Sequence, residues 1–303
     1  MKVDLVLEGG GVLGIAFIGA YKALVEYGYE VKRVAGSSAG SLMAALIASG
    51  YTPNELFSII EEMNLLLFEQ KTFSSKFFLP GQLFSLIKNK GVYTNKYLKP
   101  WLDQLLREKG LLTFENNDHL KIIASDITNR KIMIIPDCLD EYGIKIEHFM
   151  ISDAVLMSTA IPYYFTPYQL KLMDSTYFIV DGGLLSNFPV WLFDVDGTPD
   201  YPTFGIKIKD RLSESIQNKT SILSYTKDLI SAVISKDETI YLGQKDLVRT
   251  ILIEHDERVK TTDFNISKAE IQYLLECGYQ STKAFLDKFD FKRYCQTYRN
   301  NNK

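Results

Sequence analysis

Three short segments hold residue types whose spacing could do chemistry. Gly36-Ser37-Ser38-Ala39-Gly40 spells G-x-S-x-G between a strand-like run and a helix-like run. Its two glycines, Gly36 and Gly40, permit a sharp turn that lifts the Ser38 hydroxyl clear of a sheet. The helix that follows aims its dipole and its free N–H groups at that hydroxyl. The alternative is a serine that merely caps the helix beginning near Ser41. Gly9-Gly10-Gly11-Val12-Leu13-Gly14 follows an apolar run and also matches G-x-G-x-x-G. A nicotinamide site would need an acid at the end of the next strand, and Glu30 lies at the wrong end of it. A tight turn with close helix packing is the plainer reading. Asp181-Gly182-Gly183 follows the run Tyr177 to Val180, where D-G-G by itself is an ordinary turn.

These segments need elements to hold them. Val3 to Leu7 and Val31 to Ala35 are expected strands, and Ile15 to Tyr27 and Ser41 to Ser49 are expected helices ended by Gly28 and Gly50. Further strands are expected at Leu120 to Ser125, Lys131 to Pro136, Tyr177 to Val180, Thr203 to Lys209 and Thr250 to Glu254. Ser267 with Glu270 makes a capping box, with Ile266 and Ile271 placed to staple it. Alternating strands and helices predict an α/β fold with a parallel-rich, doubly wound sheet and helices on both faces. All three glycine turns can then lie along one edge of that sheet, where such folds build sites. Residues 54 to 113 give the weakest pattern.

Composition narrows the classes. The chain has 303 residues, a net charge of -3 and 46% hydrophobic residues, an ordinary globular balance with no basic excess for nucleic acid. Cys138, Cys277 and Cys295 have no paired spacing and read as reduced thiols of a cytoplasmic protein. The N-terminal apolar run is too short for a membrane span and lacks the flanks of a signal peptide. Asp126, Asp137, Asp140 and Asp153 lack a ligand-loop spacing, so neither a metal nor another cofactor is expected, and Asp153 reads as a helix cap. From Gln70 to Leu102 there is no Asp or Glu, while Lys71, Lys76, Lys88, Lys90, Lys96 and Lys99 alternate with Phe73, Phe77, Phe78, Leu79, Phe84 and Trp101. That pattern fits either peripheral contact with an anionic membrane or core aromatics beside a solvated face.

Taken together, the three ordered motifs resemble the patatin-like phospholipases. Ser152-Asp153-Ala154 through Ser158-Thr159-Ala160-Ile161-Pro162, Asn187-Phe188-Pro189-Val190, and the late helix with Gly278-Tyr279 are similar to the same family's flanks. The resemblance implies a three-layer sandwich in one catalytic domain over 1–303, with a core at about 3–195 and C-terminal strands and helices at about 200–295. It implies a lipid acyl hydrolase, of phospholipase A or lysophospholipase type, acting on a glycerophospholipid or other acyl ester. Ser38 would be the nucleophile, Asp181 its base, and the N–H groups of Gly9, Gly10 and Gly11 an oxyanion hole. An ordinary Asp, with a pKa of about 3.9, is too weak a base for this, so Asp181 must be desolvated against Ser38. The family usually has a basic residue where this chain has Leu13. Two alternatives stand beside this reading: a Ser38-Asp181-His255 triad in α/β-hydrolase order, and a lipid-binding module with weak catalysis. His119 and His148 are expected to be surface or structural residues.

Overall fold

Five of the six residues of β1 (Lys2–Leu7) are buried, as suits a central strand covered on both faces. The computed structural model describes residues 1–63, 70–71, 86, 88–172, 175–209, 242–256, 258–261 and 263–299. After β1 a 3-10 turn, Gly11–Ile15, leads into α1 (Ala16–Glu26), and the chain returns as β2 (Glu30–Ser37) parallel to β1. Next come α2 (Ala39–Ala48) and α3 (Pro53–Glu62). A Thr52/Glu55 capping box with Pro53 in the first turn starts α3. That T-P-N-E signal was legible in the sequence. β3 (Gln70–Lys71) and β4 (Gly91–Thr94) then precede α4 (Leu98–Glu108), which buries Leu98, Leu102, Leu105 and Leu106 along one face.

The chain continues through β5 (Leu120–Asp126), β6 (Lys131–Ile135), α5 (Ile151–Ser158), β7 (Tyr163–Phe165), β8 (Tyr168–Leu172) and β9 (Ser175–Asp181). β10 (Thr203–Ile208) and β11 (Thr250–Ile253) follow, then α6 (Lys268–Leu286) and α7 (Phe291–Tyr298). The expected capping box, Ser267 with Glu270, starts α6. β11, β10, β1, β2 and β5 form a parallel block, with β6, β8 and β9 added antiparallel, while β3, β4 and β7 make a separate small sheet. The expected α/β fold with a parallel-rich sheet is what the chain adopts. Val3, Leu5 and Leu7 join the main core with α1, α2 and α6, while Val6 and Ala35 on the opposite face meet Leu192 and Phe193.

One strand direction differs from the expectation. The sequence pattern predicts a parallel sheet that includes β9, but β9 runs antiparallel to β5. β6 pairs with Ile122 to Asp126 of β5, which leaves only the other edge of β5 for both β2 and β9. β2 rises along that edge until Ser37 lies opposite Ile123, and β9 descends along it until Asp181 lies opposite Ala124. Their C-terminal ends therefore abut head-on. Alternation of apolar residues marks a strand but carries no direction, so the sequence could not reveal this.

Candidate active site

Where β2 and β9 meet, Ser38 Oγ donates a 2.6 Å hydrogen bond to Asp181 Oδ2. Ser38 sits at the N-cap position of α2, yet its side chain makes no cap bond, so the capping alternative does not hold. Its backbone lies at φ 49°, ψ -125°, a region costly for any residue with a Cβ and found where a turn must present a side chain. Both flanking glycines are required by close approach. A Cβ on Gly36 would fall 2.2 Å from the Gly40 carbonyl, and one on Gly40 would fall 2.4 Å from the Leu7 oxygen. The Ser38 amide is taken by Ser158 Oγ at 2.9 Å, which itself donates to the Ile123 oxygen.

Asp181 is fully buried, and burial raises its carboxyl pKa to about 7, against the smaller lowering effects of the Ser38 hydroxyl and the Gly183 N–H. The turn after it is tied down by Ser37 Oγ donating to the Ser186 oxygen at 2.8 Å and by Gly183 N donating to Asp181 Oδ1 at 2.7 Å. A base of this strength at neutral pH, bonded to a strained serine, can take a proton as that serine attacks.

The glycine loop closes the third side. Glu8, just before it, is buried; it accepts from Ile208 N at 2.9 Å and Asn187 Nδ2 at 3.3 Å and pairs with the buried Lys207 ammonium. Asn187 Nδ2 also donates to the Gly9 oxygen, and Val12 N donates to the Thr261 oxygen at 3.0 Å. Gly9 departs from the expected oxyanion trio, because its N–H already donates to the Asn187 oxygen at 3.4 Å, whereas Gly10 and Gly11 keep N–H groups that, among the described residues, donate to no protein acceptor. They line a small cavity with Gly9, Leu13, Ser38, Ile161, Asn187 and Ile208. A Cβ on Gly9 would lie 2.3 Å from Asn187 Oδ1 and 3.0 Å from Ser38 Cβ, so only glycine fits beside the serine. A second, apolar cavity opens from Ser38 between Val12, Ile15, Leu42, Met43, Ile60, Met63, Ile161, Phe165 and Phe264.

The model of the patatin-like phospholipases matches residues 5–194, well over half of the chain and all three motifs. The chain belongs to the patatin-like phospholipase family. It is 35% identical over 301 residues to YqhO, an uncharacterized protein of Bacillus subtilis, covering 96% of this chain and 100% of that one. It is 28% identical over 198 residues to the probable lipid hydrolase 463L of Invertebrate iridescent virus 6, covering 61% of each chain. Among solved structures it is similar to VipD from Legionella pneumophila, with a TM-score of 0.57 at 18% identity, covering 94% of this chain. It spans about two thirds of VipD, and at that identity the likeness concerns the fold.

His255 Nδ1 lies 2.7 Å from the Asp256 oxygen, at the end of β11, three strands from β2. Ser38 bonds Asp181 directly, with no imidazole between, so the triad geometry is absent. His119 and His148 are exposed. Asp153 is not a cap: the N-cap of α5 is Met150, and the Asp153 carboxylate instead accepts from Lys99 Nζ and Tyr168 OH. Leu13 is buried, and the cation tied to the glycine loop is Lys207, 194 residues later in the chain. Sequence reasoning missed Glu8 and Lys207 because buried acids and bases look like any others until a partner is known. Of the 70–102 stretch, Lys76, Phe73, Phe77, Phe78, Leu79 and Phe84 lie outside the described residues. Trp101 packs partly buried against the core. No helix among the described residues is long and apolar enough to cross a membrane.

Proposed function

We propose that this patatin-like protein hydrolyses lipid acyl esters, glycerophospholipids among them, through a Ser38–Asp181 dyad and an acyl-enzyme. The observation that carries the reading is the 2.6 Å bond from a serine at strained φ to a fully buried carboxylate. Ser38 Oγ attacks the acyl carbonyl carbon and its proton passes to Asp181 Oδ2. Negative charge gathers on the former carbonyl oxygen, within reach of the Gly10 and Gly11 N–H groups, with Gly9 holding the loop close. Asp181 gives the proton to the leaving alkoxide, which departs as an alcohol. A water then loses a proton to Asp181, adds to the acyl-enzyme and releases the fatty acid, and the proton returns to Ser38 Oγ. The apolar cavity beside Ser38 suits the acyl chain. Kinship to a probable lipid hydrolase supports the same substrate class.

The whole chain serves as one catalytic unit in this reading, since Lys207 and Thr261, both beyond residue 194, hold the glycine loop. Intact-mass analysis after treatment with a lipid-like fluorophosphonate tests it. One adduct on the wild type and none on Ser38→Ala is the expected outcome. An unlabelled, folded wild type, or hydrolysis of a phospholipid by Ser38→Ala, would overturn it.

A further inference from the structure

Glu8, the residue before the glycine loop, lines the same small cavity as Gly10, Gly11 and Ser38. That cavity measures about 30 Å³, the space of a single water, so a charge in its wall acts at short range on whatever occupies it. In the proposed reaction the occupant is the acyl oxygen as it turns negative. A bare carboxylate beside it would oppose the step that the Gly10 and Gly11 N–H groups assist, and would do so far more strongly in a dry site than in water.

The glycine loop nevertheless depends on the oxygens of Glu8. Oε2 accepts from the Ile208 N–H at 2.9 Å and Oε1 from Asn187 Nδ2 at 3.3 Å. Asn187 Nδ2 also donates to the Gly9 oxygen at 3.3 Å, and the Gly9 N–H donates back to the Asn187 oxygen at 3.4 Å. Ile208 meets the loop directly, since a Cβ on Gly10 would lie 3.3 Å from its Cδ1. One short side chain therefore ties together β10, the segment after Asp181 and the glycine loop. Its charge is offset by Lys207, whose ammonium pairs with Glu8 Oε1 from β10. The two side chains are only 3% and 4% exposed, so water does little to screen either charge, and cancellation falls to the pair itself.

We infer that Lys207 is a positioning residue for acyl transfer that acts through Glu8: it cancels the carboxylate's charge beside the oxyanion and leaves both oxygens to hold the glycine loop. Because the charge matters only where an oxyanion forms, this role rests on the acyl-hydrolase reading. The test compares the rate of fluorophosphonate labelling of Ser38 in the full chain, with thermal melts alongside. The samples are wild type, Lys207→Met, Glu8→Gln and the Glu8→Gln/Lys207→Met double, where glutamine keeps an acceptor oxygen without the charge. At pH 9.5 Lys207→Met should label at least ~30-fold more slowly than wild type, and Glu8→Gln within about 5-fold of it. The Lys207→Met deficit relative to wild type should shrink as pH falls, because a buried carboxyl without its cation takes up a proton. The other donors to Glu8, the Ile208 N–H and the Asn187 amide, do not titrate in this range. The double removes both charges, so it should fold even where Lys207→Met does not, and it should label within about 5-fold of wild type. Equal slowing of the two singles, which break the same ion pair, would overturn the role of Lys207. So would a folded double that labels at least ~30-fold more slowly than wild type. A folded wild type that takes no label would instead overturn the Ser38–Asp181 reading, and the role of Lys207 with it.

Discussion

At the scale of the residue, the decisive fact is that Asp181 lies where water cannot reach it. Burial raises its carboxyl pKa to about 7 from an ordinary 3.8, and only the ionised form can accept the Ser38 proton. Hydrolysis should therefore rise with pH through about 7 and level off above it, as a profile of kcat/KM would show. Asp181→Asn keeps the shape of the side chain but removes the base, and turnover should fall by roughly 1,000-fold or more. Stability should move the other way. The folded state holds the Asp181 proton between about pH 4 and 7 while the unfolded chain has released it, so folding is favoured at low pH and loses that advantage as pH rises through about 7. Denaturant melts should thus find Asp181→Asn more stable than wild type at pH 8, by up to about 4 kcal/mol, with the gap narrowing to roughly 2 kcal/mol at pH 5 and closing below about pH 4. G-x-S-x-G made Ser38 legible in the sequence. D-G-G alone did not distinguish Asp181 from any turn, because burial is not written in a three-residue pattern.

At the scale of the element, close approach decides. α1 and α6 cross at glycines: a Cβ on Gly19 would fall 1.9 Å from the Leu275 oxygen, and one on Gly278 would fall 1.8 Å from the Ala16 oxygen. Both clashes are with backbone, which cannot swing aside, so the helices would have to separate. Gly278→Ala should cost at least about 3 kcal/mol, read as a lower guanidinium midpoint at unchanged slope. The α6 helix and its capping box were plain in the sequence, since caps and periodicity are local. The glycine's reason was not, because its neighbour is 262 residues away. α3 and α4 show the converse: Thr52 to Glu55 and the Leu98, Leu102, Leu105 and Leu106 spacing were local signals, readable in a stretch whose overall pattern was weak.

At the scale of the whole molecule, the buried Glu8–Lys207 pair joins the start of the glycine loop to β10. Removing either partner strands a charge in a dry interior, and Lys207→Met alone should destabilise the fold by about 3–5 kcal/mol. Glu8→Leu combined with Lys207→Met should recover much of that loss, as thermal melts of the singles and the double would show. Labelling of Ser38 by a fluorophosphonate should nevertheless stay slow in the double variant. Ile208 N and Asn187 Nδ2 would have lost the acceptor that holds the glycine loop. Fully additive destabilisation would mean that the two charges are not coupled.

The sequence by itself determined the local parts: the strand–turn–helix units, the caps, the elbow glycines and the order of three motifs that resemble one family. Each depends on residues a few positions apart, where periodicity and steric demand act directly. Only the tertiary structure decided that β9 comes down antiparallel to meet β2 end to end. Only it decided that Ser38 bonds Asp181 rather than a histidine, and that Lys207 lies under the glycine loop. Strand direction, burial and charge pairing arise between segments more than fifty residues apart, and no short window along the chain contains both partners.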